Sequence, residues 1–201
     1  MHYGLKAGPT TYPVSEAELA DLLRLDDYQE PTLKFLLESA VSSAIAYTGR
    51  AFLEQTYTIQ WDGYPGKGTP TKGIDVLHRI PDEWIELPYP PLLSVESVKT
   101  IDRDGLETLI DPTEYVLDLI NQPGRLRFKN GYPALYSGDR LVIDYTAGYG
   151  DSPHDVPYAI RHGILVAAGY MYEHRGECSA ASALMDSGAA QILQPYRMMR
   201  L

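Results

Sequence analysis

The stretch Pro31 to Trp61, PTLKFLLESAVSSAIAYTGRAFLEQTYTIQW, changes its apolar rhythm partway along and so decides the fold class. Leu33, Leu36, Leu37, Ala40, Val41, Ala44, Ile45 and Thr48 recur at three- and four-residue spacing, which lays one apolar stripe along a helix. Pro31 suits the first helical position, and Gly49 supplies the stop. From Leu53 the period becomes two: Tyr57, Ile59 and Trp61 alternate with Thr58 and Gln60, as in a strand with one buried face. A helix built to pack on something therefore runs directly into a sheet.

Upstream, Val14-Ser15-Glu16-Ala17-Glu18-Leu19 predicts a short helix to about Leu25, with Ser15 and Glu18 as a capping box and Val14 with Leu19 as a hydrophobic staple. Downstream, strands are expected at Trp84–Leu87, Ser94–Ile101, Glu107–Ile110, Tyr115–Leu119, Arg125–Phe128 and Arg140–Thr146. Turn signals separate them at Asp104-Gly105, Asp111-Pro112, Pro123-Gly124 and Asn130-Gly131. The short connections predict an antiparallel meander. After Ala147-Gly148-Tyr149-Gly150, Ser152 or Asp155 can cap a third helix with Pro157 in its first turn. There Ile160, Ile164, Ala168, Met171 and Tyr172 repeat at helical spacing, while Arg161 and His162 read as its solvated face. The fold class is thus α+β, a small helical body interrupted by an antiparallel β insertion. Its expected parts are residues 1–52 and 151–176 for the body, 53–150 for the β domain, and 177–201 for a flexible strap and extended C-terminal tail.

Composition narrows the function. The 201 residues carry a formal net charge of -10, which argues against nucleic-acid affinity, since phosphate binding rests on clustered Lys and Arg. A single cysteine, Cys178, excludes an internal disulfide framework and fits a reducing compartment. No membrane span or signal peptide is expected. Sixteen tyrosines against three phenylalanines suit half-buried sheets first and contact surfaces second.

Chemistry-bearing patterns are absent or incomplete. Gly66-Lys67-Gly68-Thr69 lacks the Ser or Thr after its lysine and the helix start of a phosphate loop. Asp102-Arg103-Asp104-Gly105 lacks the remaining ligands of a calcium loop and reads as a hairpin turn. None of His2, His78, His154, His162 and His174 forms a metal-binding pair at helical spacing. There is no nucleophile elbow, and Cys178 has no basic neighbour to activate it. The reading is of a non-enzyme without metal or cofactor. A β-rich module binding carbohydrate or another small ligand, suggested by Trp61, Trp84 and the tyrosines, is the alternative, and a hydrolase assembled from scattered His, Asp and Glu the weakest reading.

The segment after Ile192-Leu193 is different in kind. Pro195-Tyr196-Arg197-Met198-Met199-Arg200-Leu201 combines aromatic, apolar and cationic side chains. It either docks back on its own core or binds a neighbouring chain, and the interface enrichment of Tyr, Met and Arg favours the second.

The order of parts carries a resemblance. Pro13-Val14-Ser15 opens a short helix, a helix ends in Tyr47-Thr48-Gly49-Arg50, and Gln55-Thr56-Tyr57 enters a strand. Leu87-Pro88, Pro90-Pro91-Leu92, Ser94-Val95, Ser97-Val98, Tyr145-Thr146-Ala147-Gly148-Tyr149-Gly150, Val156-Pro157, Ile160-Arg161 and Pro195-Tyr196-Arg197 follow in turn. Together, over nearly the whole chain, these resemble the head-to-tail connector family of tailed bacteriophages and gene-transfer-agent-like particles, also called adaptor or head-completion proteins. The resemblance implies a dodecameric ring beneath a portal protein, joining the capsid vertex to the tail and continuing a channel through which genome DNA passes without sequence-specific binding. It implies a tail-side stopper or tail-terminator as second partner, and a place at the head–tail interface of a virion after synthesis in a host cytoplasm. By the same resemblance, Ile192, Leu193, Pro195, Tyr196, Arg197, Met198, Met199, Arg200 and Leu201 form a portal-docking tail, and Thr48, Gly49, Arg50, Gly148, Tyr149 and Gly150 are architectural. Negative charge suits such a channel, since a wall that repels phosphate lets DNA slide. The excursion between Asp62 and Glu86 is longer than the family pattern.

Overall fold

The computed structural model describes residues 2–26, 30–62, 84–131, 133, 135, 138–175 and 178–198. They form two compact units: a β unit drawn from the residues up to Gly8 and from Gln55–Ala147, and a helical unit drawn from Pro9–Glu54 and from Gly148 onward. The class is α+β. The stretch Gly66-Lys67-Gly68-Thr69, within the excursion between Asp62 and Glu86, lies outside the described residues.

In the helical unit, α1 (Glu16–Leu23), α2 (Glu30–Thr48) and α3 (Tyr158–Glu173) follow the apolar stripes. The expected capping box starts α1: Ser15 Oγ accepts from Glu18 N, and the Glu18 carboxylate accepts from Ser15 N at 2.8 Å. Leu33, Leu37, Ala40, Val41 and Ala44 of α2 are buried in one core with Ile160, Ile164, Ala167, Ala168 and Met171 of α3. Ser152 caps a 3₁₀ turn over Pro153–Asp155, and α3 begins only after Pro157.

The segment expected to be a strap is helical. Ser179 and Ser182 make a capping box for α4 (Ala180–Asp186), Gly188 turns the chain, and α5 (Ala189–Leu193) follows. Ala183, Leu184, Ala189, Ala190 and Leu193 join the core. Small residues read as strap composition are here the ones that let short helices approach closely.

Arg161 is a second correction. It is not on a solvated face but 8% exposed. Its Nε donates to the Pro13 carbonyl at 3.0 Å, and its Nη2 donates to the Glu18 carboxylate, binding α3 to the start of α1. Burial opposes the charge on Glu18, but bonds from Ser15 and the Arg161 guanidinium prevail and hold its carboxyl below the ordinary range.

The β unit is not a meander. One sheet has the order β1 (His2–Ala7), β2 (Gln55–Asp62), β8 (Arg140–Ala147), β4 (Leu92–Ile101) and β5 (Glu107–Leu109). A second has the order β3 (Ile85–Glu86), β7 (Arg125–Phe128) and β6 (Tyr115–Asp118). The last strand of the insertion lies beside the first, with Gln55 opposite Ala147 and Thr58 opposite Asp144. Strand β8 takes the centre because both its faces are buried, Leu141, Ile143 and Tyr145 on one side and Val142, Asp144 and Thr146 on the other. The Asp102–Gly105 hairpin turn joins β4 to β5, with Asp102 Oδ1 accepting from Asp104 N and Leu106 N. Residues 2–7, expected in the helical body, instead form edge strand β1.

Several tyrosines serve the sheet. Tyr57 stacks on Tyr89 at 4.8 Å and on Tyr145 at 5.7 Å, and Tyr145 Oη donates to the Pro88 carbonyl at 2.9 Å. This fixes the Pro88–Pro91 connector on one sheet face.

The other face carries a buried carboxylate, Asp144, which accepts from Lys6 Nζ at 2.8 Å, from Thr58 Oγ1 and from Ser97 Oγ. Burial opposes its charge, yet the bonds from Lys6 and Thr58 and the charges of Lys6 and Lys99 prevail, so its carboxyl is held below the ordinary range. The stabilisation is therefore complete above the usual aspartate pKa of about 4 and disappears as pH falls through the depressed value. Amide exchange of residues 2–7 should accelerate in Asp144→Asn, and in the parent chain on acidification below about pH 4, while β4 stays protected. Equal protection of β1 in the variant and the parent at neutral pH would refute this role for Asp144.

Candidate functional site

The end of α2 gathers most of the residues marked as architectural or as tail. Thr48 Oγ1 donates to the Ala44 carbonyl at 2.8 Å, and Gly49 takes the left-handed conformation, φ 69°, that ends the helix. Helix ends leave carbonyls without partners, and one of them, Thr48 O, accepts from Met198 N at 2.8 Å. Arg50, 8% exposed, donates from Nε to the Tyr196 carbonyl at 2.5 Å. Arg197 in turn lies over the Tyr47 ring, 5.1 Å from its centroid. Residues 196–198 are thereby clasped to the helical unit.

The chain passes through the same region on leaving and re-entering that unit. Tyr149 N donates to the Phe52 carbonyl at 3.1 Å, and Glu54 N to the Gly150 carbonyl at 2.8 Å. Gly148 has φ 140°, and a Cβ there would strike the Leu53 carbonyl, so only glycine fits the crossing. Burial pushes the Tyr149 phenol up, against the opposing charge and hydrogen bond of Arg50. One guanidinium thus touches both the crossing and the clasped segment.

The expected tail divides into three. Leu193 is a core residue packed over Gly163, and Ile192 is half-buried. Pro195 and Tyr196 continue in a 3₁₀ turn, and Tyr196 to Met198 dock on the chain's own body, so no free extended tail starts at Ile192. The physical reason is that a buried arginine needs acceptors and a helix end needs donors, and this segment's backbone supplies both. Met199, Arg200 and Leu201 lie outside the described residues.

Sequence reasoning missed the Arg161 clamp to Pro13 and Glu18. The visible signal was the capping box at Ser15 and Glu18; its second partner, on α3, had no local trace. Trp84, part of the reading as a sugar-binding module, is engaged by the Arg125 and Arg127 guanidiniums at 4.8 and 5.0 Å from its ring centroid. Among the described residues no group of three or more His, Cys, Asp or Glu could hold a metal, and no helix is long and apolar enough to cross a membrane.

No protein-family model matches the chain, and no curated protein matches it by sequence. Solved structures do match. A chain in the virion of a native gene transfer agent particle superimposes with a TM-score of 0.79 at 20% identity, covering 100% of this chain and 97% of that one. Chains from the neck of the empty particle, computed with C6 symmetry, and from the neck of the native particle, computed with C12 symmetry, give TM-scores of 0.76 and 0.75 at 20% and 22% identity. Both cover 100% of this chain and 97% of the other.

Two substitutions separate clasp from core. Arg50→Ala should destabilise by about 1–3 kcal/mol, since it leaves buried acceptors unpaired, and Leu193→Ala by about 2–5 kcal/mol through a core cavity, both measured by denaturant unfolding. The likeness of chains from particle virions and necks to this one, end to end and in both units, establishes its fold as the one those particle chains share.

Proposed function

We propose that the chain is a head-to-tail connector subunit in the neck of a phage-like particle, forming a dodecameric ring between a portal protein and a tail-side stopper or terminator. The observation that carries the reading is the full-length likeness, both units included, to chains found in necks computed with C6 and C12 symmetry. A connector works by geometry: each copy offers unlike surfaces to its two neighbours, and a rotation that closes makes a ring. The net charge of -10 suits a subunit whose ring lets DNA pass without holding it.

The helical unit supplies the rigid part of this work. Arg161 locks α1 to α3, and Arg50 locks the crossing to the segment that precedes Met199. In this reading the residues after Met198 reach the portal from a fixed point, because Met198 N is bonded to Thr48 O at 2.8 Å. The docking role narrows from Ile192–Leu201 to Met199–Leu201, with the earlier residues as its mount.

Mixing the chain with the portal protein of the same particle should give a ring-on-ring complex visible by electron microscopy. Removing residues 199–201 should abolish that complex without changing the melting temperature, whereas removing 195–201 should also lower it, because Arg50 and Thr48 lose their partners. A parent chain that stays monomeric with the portal would overturn the connector reading. Portal capture unchanged in the 199–201 deletion would overturn the docking role alone.

A further inference from the structure

Edge strand β1 lies on its sheet with little surface of its own buried. All of His2 to Ala7 are exposed, and so are Gly8, Pro9 and Thr10, which lead on toward α1. The ladder to β2 runs from His2 opposite Gln60 to Ala7 opposite Thr56, with a bulge between Leu5 and Ala7. Side-chain contacts anchor the strand on both faces of the sheet. On one, Lys6 Nζ donates to the buried Asp144 carboxylate at 2.8 Å; on the other, the Tyr3 ring meets the Tyr89 ring edge to face at 5.7 Å. An edge strand with so few buried contacts belongs to the low end of local stability.

Tyr89 is the unusual partner. Its φ of 59° lies in the left-handed region, which a bulky side chain rarely takes. Among the described residues the other non-glycine with positive φ is Arg24, which ends α1, whereas Tyr89 ends no helix. A backbone held in this way persists only where its surroundings fix it. Here the Tyr89 ring stacks on Tyr57 of β2 at 4.8 Å, and the preceding Pro88 carbonyl accepts from Tyr145 Oη at 2.9 Å. The strained residue is therefore the one whose ring joins the edge strand to the strand beside it.

We infer that β1 is a latch: it opens and closes on the edge of β2 as one piece, with Tyr89 as the catch on one face and Asp144 as the catch on the other. Release leaves β2, β8, β4 and β5 together, because β2 keeps its full ladder with β8, from Gln55 opposite Ala147 to Asp62 opposite Arg140. The exposed residues 8–10 serve as the hinge, since beyond them the Pro13 carbonyl is fixed by Arg161. Closed, the edge is blunt: β1 is six residues long, carries Lys6 and is broken by a bulge, features that discourage further strand pairing. Open, the eight-residue β2 presents its outer backbone groups instead. The latch is a property of the free subunit and stands whether or not the chain forms a ring.

Amide exchange read residue by residue by NMR on the full chain tests this. Tyr3→Ala removes the ring contact from its exposed side, and Lys6→Met removes the ion pair. Each should speed exchange of the protected amides throughout residues 2–7, at both ends of the strand, by about threefold to tenfold, while β4 and β8 are unchanged. The two effects should multiply in the double variant, because the anchors lie on opposite faces. Tyr89→Gly, which keeps the left-handed backbone without its strain, should act at least as strongly as Tyr3→Ala. A disulfide from His2→Cys with Gln60→Cys, made in a Cys178→Ser background, should slow exchange along the whole strand and cancel the effect of either anchor variant. Acceleration confined to the substituted end would overturn the latch, since the strand would then fray rather than open. So would exchange of residues 2–7 in the parent as slow as that of β8. Should Tyr89→Gly fold poorly, Tyr3→Ala reads the same catch, and an unchanged rate in Tyr3→Ala would overturn the role given to Tyr89.

Discussion

The rest of the structure depends on the place where the chain crosses between its helical unit and its β unit. Two stretches, Phe52–Glu54 and Gly148–Gly150, run side by side there, joined by bonds from Tyr149 N to Phe52 O and from Glu54 N to Gly150 O. Their closeness leaves no room for a side chain at Gly148. It also sets the sheet, because the ladder that begins with Gln55 opposite Ala147 must continue as β2 beside β8. An insertion that starts and ends at one point brings its first and last strands together, which is why consecutive hairpins alone do not describe the β unit.

Around this crossing, buried cations do the joining. Arg50 reaches the Tyr196 carbonyl and Tyr149, while Arg161 reaches the Pro13 carbonyl and Glu18. A buried guanidinium needs several acceptors, and a carbonyl at the end of a helix or in a connecting segment has a lone pair to spare. Each arginine therefore ties together parts of the chain that are far apart in sequence. The short motifs that carried the family resemblance meet in the same way: Pro13 with Arg161, Tyr47 with Arg197, Pro88 with Tyr145, Arg50 with Tyr196. No single motif is specific, but in this chain they are partners in space.

For a subunit proposed to work by geometry, this arrangement has a direct consequence. Rigid mounts matter more than reactive groups, and the described charged side chains that are buried are tied to structural partners rather than gathered around a cavity. The turn at Asp118 follows the same logic on the surface, its carboxylate accepting from Asn121 N and Arg125 Nε.

Much of the secondary structure was legible in the sequence because it is encoded locally. The stripe from Leu33 to Thr48, the capping box at Ser15 and Glu18, and the turn at Asp102–Gly105 each depend on residues within one or two turns of chain. The C-terminal segment was legible as unusual, though its Tyr196–Met198 part is used by the chain's own helix end. Strand order, the edge strand at residues 2–7, the helices at residues 180–193 and the burial of Arg50 and Arg161 were decided only in three dimensions. The reason is physical: a strand's period shows that it will pair but not with which partner, and an arginine looks solvated until the fold brings acceptors to it. Local periodicity determined the elements, whereas their partners were chosen by the burial that only the assembled chain provides.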